Sequence, residues 1–339
     1  MPADTIEAVA KALSAGDQSA ILLGGCALGE RGLRAAARVA AASGADLWCE
    51  TFPARLERGA GRPAVERLGY FGELVEAQLS GTRQLVLAGA RRPVSFFAYP
   101  GKPSDLVPPG CAVHLLASDG DDAASALEQL AVAVGAPPVA PAAAGAPASR
   151  PVRPTGELDA ESLAAAVGAL LPEGAVVVDE SNTSGIFVAG ATAGCPPHDW
   201  LTLTGGAIGY GLPVATGAAV AAPGRRVLCL EADGSAMYTL QALWTQARQG
   251  LDVTTVVLAN RAYAILNLEL ARVGAGAGGP AAAALFDLSR PDLDFVALAG
   301  GLGVPASRAT TADELVAQLA RSLSEPGPHL IEAVLASSG

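Results

Sequence analysis

Asp233 and Asn260 stand at the ends of two apolar runs in the stretch EADGSAMYTLQALWTQARQGLDVTTVVLANRAY (231–263). A carboxylate and an amide oxygen are hard donors. Beside them Gly234 lets backbone approach closely and Ser235 opens a helix, whose free amides suit an anion. Carboxylate, amide and phosphate oxygens together suit Mg²⁺, which prefers about six oxygens and shares them between one or two protein groups and phosphates. The same residues would also serve as an Asp-Gly turn and a cap on the following helix. Residue type alone leaves both readings open.

The elements that must position the pair are visible around it. RRVLCLE (225–231) and VTTVVLA (253–259) are short and apolar, as strands buried on both faces should be. Between them SAMYTLQALWTQARQG (235–250) repeats apolar residues at Met237, Leu240, Leu243, Trp244 and Ala247, with Gly250 as a stop. This predicts one helix with those residues on its buried face, and so one βαβ unit. Open α/β sheets bind ligands at the carboxyl ends of their strands, which would bring Asp233 and Asn260 to one crevice.

A chain of 339 residues suggests about two domains. Hydrophobic residues make up 51%, yet no apolar run approaches the ~20 residues that span a bilayer. The opening MPADTIEAVAKALSAG carries acids early and no signal-like apolar core, so a cytoplasmic protein is expected. A net charge of −11 with scattered Lys and Arg argues against nucleic acid and anionic membrane as partners. The five cysteines (26, 49, 111, 195 and 229) show no metal spacing and read as free thiols, most of them buried. His114 and His329 read as structural, in or beside strands. His198 reads as a loop residue able to approach the crevice.

GAPPVAPAAAGAPASRPVRP (135–154) is rich in Ala and Pro without periodicity and reads as a linker between an α/β domain at 1–134 and a second at 155–339. In the first, SAILLGG (19–25), RQLVLAGA (83–90) and CAVHLLAS (111–118) read as buried strands, and ERGLRAAARVAAASG (30–44) as a helix. GGCALGERG (24–32) has the wrong glycine spacing for a dinucleotide fingerprint and reads as a strand-to-helix turn. The fold class expected is α/β, with two doubly wound parallel sheets.

The spacing from Asp233 to Asn260 adds a resemblance. The chain resembles the thiamine diphosphate enzymes of the acetolactate synthase and benzoylformate decarboxylase superfamily, whose diphosphate motif runs from Gly-Asp-Gly through one helix and one strand to Asn-Asn. It is carried by VVVDESNTSG (176–185), LTGGAIGYGLPVATGAAVAAPGRRVLCLE (203–231), Ala232-Asp233-Gly234-Ser235, Ala259-Asn260 and DLSRPDLDFVALAGGLGVPASRATTADELVAQL (287–319). Ala232 and Ala259 depart from the motif at positions that supply no metal side chain. The resemblance implies thiamine diphosphate and Mg²⁺ as cofactors, with Asp233, Asn260 and the Ala262 carbonyl as metal ligands. It sets Gly234, Ser235 and Tyr263 around the diphosphate, along with Asn182 and Thr183, which could equally be a simple cap. Thr204 and Gly205 would offer oxygens to the aminopyrimidine. The catalytic contribution falls to Ile208, as the apolar wedge beneath the thiazolium, although an Ile between glycines can also be plain core. Ile265 and Glu269 would face substrate, or merely pack their helix.

The superfamily's first domain binds the pyrimidine and carries a glutamate that contacts it. No counterpart is read in these residues. The resemblance therefore implies a 2-oxoacid decarboxylase or carboligase of acetolactate synthase type that needs a pyrimidine-binding domain or subunit, is expected to be inactive as this chain alone, and forms a homo-oligomer. FAD is not expected. A benzoylformate decarboxylase-like lyase and a non-catalytic Mg²⁺-diphosphate or assembly module remain as alternatives.

Overall fold

The computed structural model describes residues 2–276 and 278–336. The chain forms two compact units, Met1–Pro147 and Ala148–Gly339. Both are mixed α/β, and each is built on a parallel sheet.

In the first unit, strands β1 (Ser19–Leu23), β2 (Asp46–Cys49), β4 (Glu66–Arg67), β5 (Gln84–Ala88) and β6 (Ala112–Ala117) run in the order β4-β2-β1-β5-β6, all parallel. A three-residue strand, β3 (Leu56–Arg58), lies between β2 and β4 in sequence. Helices α1 (Ala3–Leu13), α2 (Glu30–Ser43), α3 (Gly72–Gln78) and α4 (Ala123–Ala133) complete the unit. GGCALGERG forms the expected strand-to-helix connection, a short 3₁₀ turn at Gly25–Leu28 leading into α2. That helix ends at Gly44, whose φ of 74° a side chain would disfavour.

The second unit carries β7 (Val176–Glu180), β8 (His198–Thr202), β9 (Val227–Ala232), β10 (Val253–Ala259), β11 (Ala306–Ala309) and β12 (His329–Val334). Its strands follow the order β11-β12-β10-β9-β7-β8 and are all parallel. Every residue of β10 and all but the last of β9 are buried, as the two continuous apolar runs predict. Helix α5 (Ala160–Leu170) starts on a capping box between Asp159 and Ser162. It is followed by α6 (Val188–Ala191), α7 (Gly211–Ala221), α8 (Asp233–Thr239), α9 (Ala242–Gln249), α10 (Ala264–Arg272), α11 (Pro280–Phe286), α12 (Phe295–Gly301) and α13 (Ala312–Ser324). The core joins Val178, Leu212, Ala215, Cys229, Leu243, Val257 and Phe295.

Strand order makes a crevice. The chain leaves β7 for β8 on one side, then returns to lay β9 on the other, so the loops after β7 and β9 diverge at a topological switch point.

Three local expectations are corrected. The helix expected over 235–250 is broken into α8 and α9 at Leu240–Gln241, and only α9 ends on Gly250 in the left-handed conformation. Met237 and Trp244 are exposed, whereas Leu243 is fully buried. His198 is the buried first residue of β8, with Nδ1 2.8 Å from the Pro196 carbonyl oxygen, because the preceding prolines bring the chain straight into the sheet. Of the thiols, Cys49, Cys195 and Cys229 are buried, Cys111 is half-buried and Cys26 is exposed. Among the described residues no helix is long and apolar enough to cross a membrane.

Candidate functional site

The carboxyl ends of three adjacent strands, β7, β9 and β10, carry the candidate residues. Asp233 follows β9 directly and is only 3% exposed. One of its oxygens accepts the Gly234 N–H at 2.8 Å and the other accepts the Arg261 N–H at 2.7 Å. Burial pushes the carboxyl above its ordinary range, and the main-chain N–H groups of Arg261 and Gly234 pull the other way. Among the described residues no cationic side chain pairs with it. A buried carboxylate held by two amides and facing no cation is costly unless a cation completes it.

Asn260 directly follows β10, the neighbouring strand. Its Nδ2 donates to Ser184 Oγ at 3.0 Å and its Oδ1 accepts the Ala262 N–H at 3.0 Å, which fixes the amide plane. Arg261, between them, takes a φ of 59°, and its carbonyl accepts the Leu288 N–H at 2.9 Å. Ala262 sits opposite Asp287 in an antiparallel bridge flanked by the Tyr263 to Phe286 and Leu288 to Arg261 bonds. This is a position where neither of its main-chain groups bonds across the bridge. Its carbonyl accepts no hydrogen bond from a described residue, so it remains available to a ligand.

No cluster of three His, Cys, Asp or Glu suited to a metal occurs among the described residues. A divalent ion here would be held by one carboxylate, one amide oxygen and one main-chain carbonyl. That all-oxygen set fits a hard cation sharing its shell with phosphate, and does not fit zinc.

Asn182 adopts a φ of 49° in the 3₁₀ turn Asn182–Gly185 after β7, and its Nδ2 donates to Ser235 Oγ at 2.9 Å. This bond crosses the crevice from the β7 loop to the start of α8. Thr183 occupies the same turn. Gly234 has a second reason to be glycine: a Cβ there would lie 2.5 Å from Cε1 of Tyr263, so the missing side chain makes room for that ring. Thr204 and Gly205 form a separate 3₁₀ turn, Thr204–Gly206, in which Gly205 has a φ of 67°. Ile208 follows and is 46% exposed. Ile265 and Glu269 lie about one turn apart on α10, where Glu269 forms a 3.9 Å ion pair with Arg272.

Two residues without an expected role stand at the floor of the crevice. Glu180 ends β7 and Glu231 is the penultimate residue of β9; they are register partners, each 1% exposed. Glu180 accepts main-chain N–H groups from Gly209, at 2.6 Å, and from Gly211. Burial raises its carboxyl and these N–H groups oppose the shift. Glu231 lies beside Glu180 across the strand pair, and burial and then the charge of Glu180 push it well above the usual carboxylate range. Of the two, Glu180 faces main-chain N–H donors that favour its charged form. The only signal in the sequence is a glutamate at or next to the end of each strand, after Asp179 in VVVDE and after Leu230 in VLCLE.

Comparison with known proteins places this geometry. Residues 184–333 match the thiamine pyrophosphate enzyme C-terminal TPP-binding domain. The chain is 61% identical to the acetolactate synthase large subunit-like protein IlvX of Mycobacterium tuberculosis over 330 residues, 97% of this chain and 63% of that protein. It is 34% identical over 177 residues to the benzoylformate decarboxylase of Pseudomonas aeruginosa, 52% of this chain and 32% of that protein. The 4-hydroxybenzoylformate decarboxylase of Rhodococcus jostii, a thiamine diphosphate-dependent enzyme, superposes with a TM-score of 0.79 at 25% identity, over 100% of this chain and 65% of that one. The chain thus spans less than two thirds of the length of each of these relatives. The matched segment, residues 184–333, contains Asp233, Asn260 and Ala262 together with the strands β9 and β10 that carry them.

Proposed function

We propose that this chain supplies the diphosphate-binding half of a thiamine diphosphate-dependent 2-oxoacid decarboxylase or carboligase of acetolactate synthase type. The observation that carries this reading is the set of Asp233, Asn260 and the unbonded Ala262 carbonyl, gathered at the ends of two adjacent strands inside the matched domain. Asp233 and Asn260, with that carbonyl, would hold Mg²⁺. The Asn182 and Ser235 side chains, already joined across the crevice, would border the diphosphate with Thr183, Gly234 and Tyr263. When bound, thiamine diphosphate supplies a nucleophilic carbon and an electron sink for loss of CO₂ from a 2-oxoacid. Thr204 and Gly205 would orient its aminopyrimidine, and Ile208 would support its central ring from below.

The mouth of the crevice supports a protein partner. Ile186, Phe187, Ile208, Met237, Tyr238 and Leu266, all on segments that follow the strand ends, are exposed large apolar residues. A rim of that kind suits burial against another surface, here a pyrimidine-binding domain or subunit that would supply the remaining catalytic groups and exclude water. A non-catalytic binding module is the competing reading.

Two measurements separate them. Calorimetric titration of the chain with thiamine diphosphate should show binding that requires a divalent cation. CO₂ release from pyruvate should be absent for the chain alone and appear when a pyrimidine-binding domain is added. Cation-dependent binding with no turnover in the completed assembly would favour the module, and no binding in either setting would overturn both.

A further inference from the structure

Both oxygens of Glu180 are committed to one short loop, through the N–H groups of Gly209 and Gly211. The loop is also held from its other side. Thr239 Oγ1 donates to the Gly209 carbonyl at 3.0 Å, and a Cβ on Gly209, whose φ is +84°, would stand 2.8 Å from the Cβ of Tyr238. Gly211 is equally confined: a Cβ there would fall 2.1 Å from Glu231 Oε2 and 3.1 Å from Glu180 Cβ. Tyr210, between the two, packs against the core. The residue that immediately precedes this pinned turn is Ile208, a large aliphatic side chain left half in solvent.

A carboxylate serving only as a cap on α7 would bond N–H groups within the helix. Glu180 instead bonds the first helical residue and the residue two positions upstream, so its grip extends to the segment that carries Ile208. Glu231, its register partner, backs the grip by filling the space that Gly211 leaves open. The main chain directly after Ile208 is thus held from beneath while the Ile208 side chain stays half in solvent.

We propose that Glu180 is a positioning residue for Ile208: by holding the N–H groups of Gly209 and Gly211 together, it sets the height and orientation at which Ile208 meets the central ring of the cofactor. The inference rests on the reading of Ile208 under Proposed function. An amide in place of the carboxylate would satisfy one N–H and present its own NH₂ to the other, loosening the turn with almost no change in volume.

The test compares the wild-type chain with Glu180→Gln. Amide exchange in the free protein should find Gly209 and Gly211 protected despite their place in a loop, and in the variant about tenfold faster or more. The affinity for Mg²⁺-thiamine diphosphate should fall about tenfold, while that for Mg²⁺-pyrophosphate, which never reaches Ile208, stays within about twofold. Parallel loss of both affinities would reduce Glu180 to general support of the fold, and unchanged exchange would overturn the clamp. If the variant does not fold, the wild-type amides still decide: exchange at ordinary loop rates refutes the proposal. A wild type that binds neither probe would refute the functional reading instead, leaving the exchange measurement to judge the clamp on its own.

Discussion

Replacing Asp233 by Asn separates the site's two requirements, that it fold and that it hold a cation. The carboxylate accepts two main-chain N–H bonds while 3% exposed. Bonds to a charged acceptor contribute about 1.5–3 kcal/mol each and neutral ones about 0.5–1.5 kcal/mol. The Asn oxygen keeps one of the two at the lower value. Against that loss, the cation-free protein no longer buries an uncompensated anion, a penalty of several kcal/mol. The two effects oppose each other and are similar in size, so urea denaturation of the cation-free variant should lie within about 1–2 kcal/mol of wild type.

Ligand binding should respond very differently. Removing the charged member of a buried ionic contact costs about 3–5 kcal/mol, a rise in Kd for Mg²⁺-thiamine diphosphate from roughly a hundredfold to several thousandfold. At ligand one hundred times the wild-type Kd, the wild type gains about 2.7 kcal/mol of stability and the variant almost none. Calorimetry and ligand-dependent thermal shifts report the two halves separately. Equal affinity in wild type and Asp233→Asn would refute the assignment of Asp233 as a metal ligand, whatever happened to stability.

Other substitutions test neighbouring parts of the argument. Leu243→Ala, at a fully buried position, should lower unfolding free energy by about 2–5 kcal/mol. Trp244→Ala, one residue on, is 52% exposed with Arg248 5.2 Å from its ring, and should cost less than about 1 kcal/mol by the same denaturation assay. His329 is held below its ordinary value by burial and then by Arg321, with Glu325 opposing and Ser307 Oγ 3.0 Å from Nε2. Its contribution to stability is therefore full above the unfolded value of about 6.5 and lost as pH falls through it, so His329→Gln should flatten the drop in stability between about pH 7.5 and 5.5. In the completed enzyme, Ile265→Ala should shift kcat/KM toward benzoylformate over pyruvate on the order of ten- to a hundredfold, and unchanged selectivity would return Ile265 to packing α10.

Sequence disclosed those features that local chemistry dictates. β9 and β10 were legible because strands buried on both faces must be apolar throughout, and both are. Asp233 and Asn260 were legible because they directly follow those strands, so neighbouring strands bring them to one edge. The helix between them was legible in kind but not in detail. Periodicity marked Met237 and Trp244 as core on the assumption of one unbroken helix, and the break between them gives the two halves different faces, so both are exposed. The break between α8 and α9 left no Gly or Pro to announce it.

Glu180 and Glu231 were hidden for a different reason, which lies in topology. Each is an acid at the end of a strand, a commonplace feature in sequence, and their meaning arises only when β9 is laid beside β7 rather than beside β8. At that reversal the flanking loops part, and the last residues of the two strands become the floor of a crevice with no loop overhead to satisfy them. A polar pair placed there must satisfy itself or recruit a third segment. Glu180 recruits the turn that follows Ile208, while Glu231 keeps one oxygen without a hydrogen-bond partner among the described residues. Gly211 completes the arrangement by its lack of a side chain, since even a methyl group would occupy the space of the Glu231 carboxyl. The switch point that opens the crevice thus also creates the unmet hydrogen-bonding demand by which its floor holds the loop beside it.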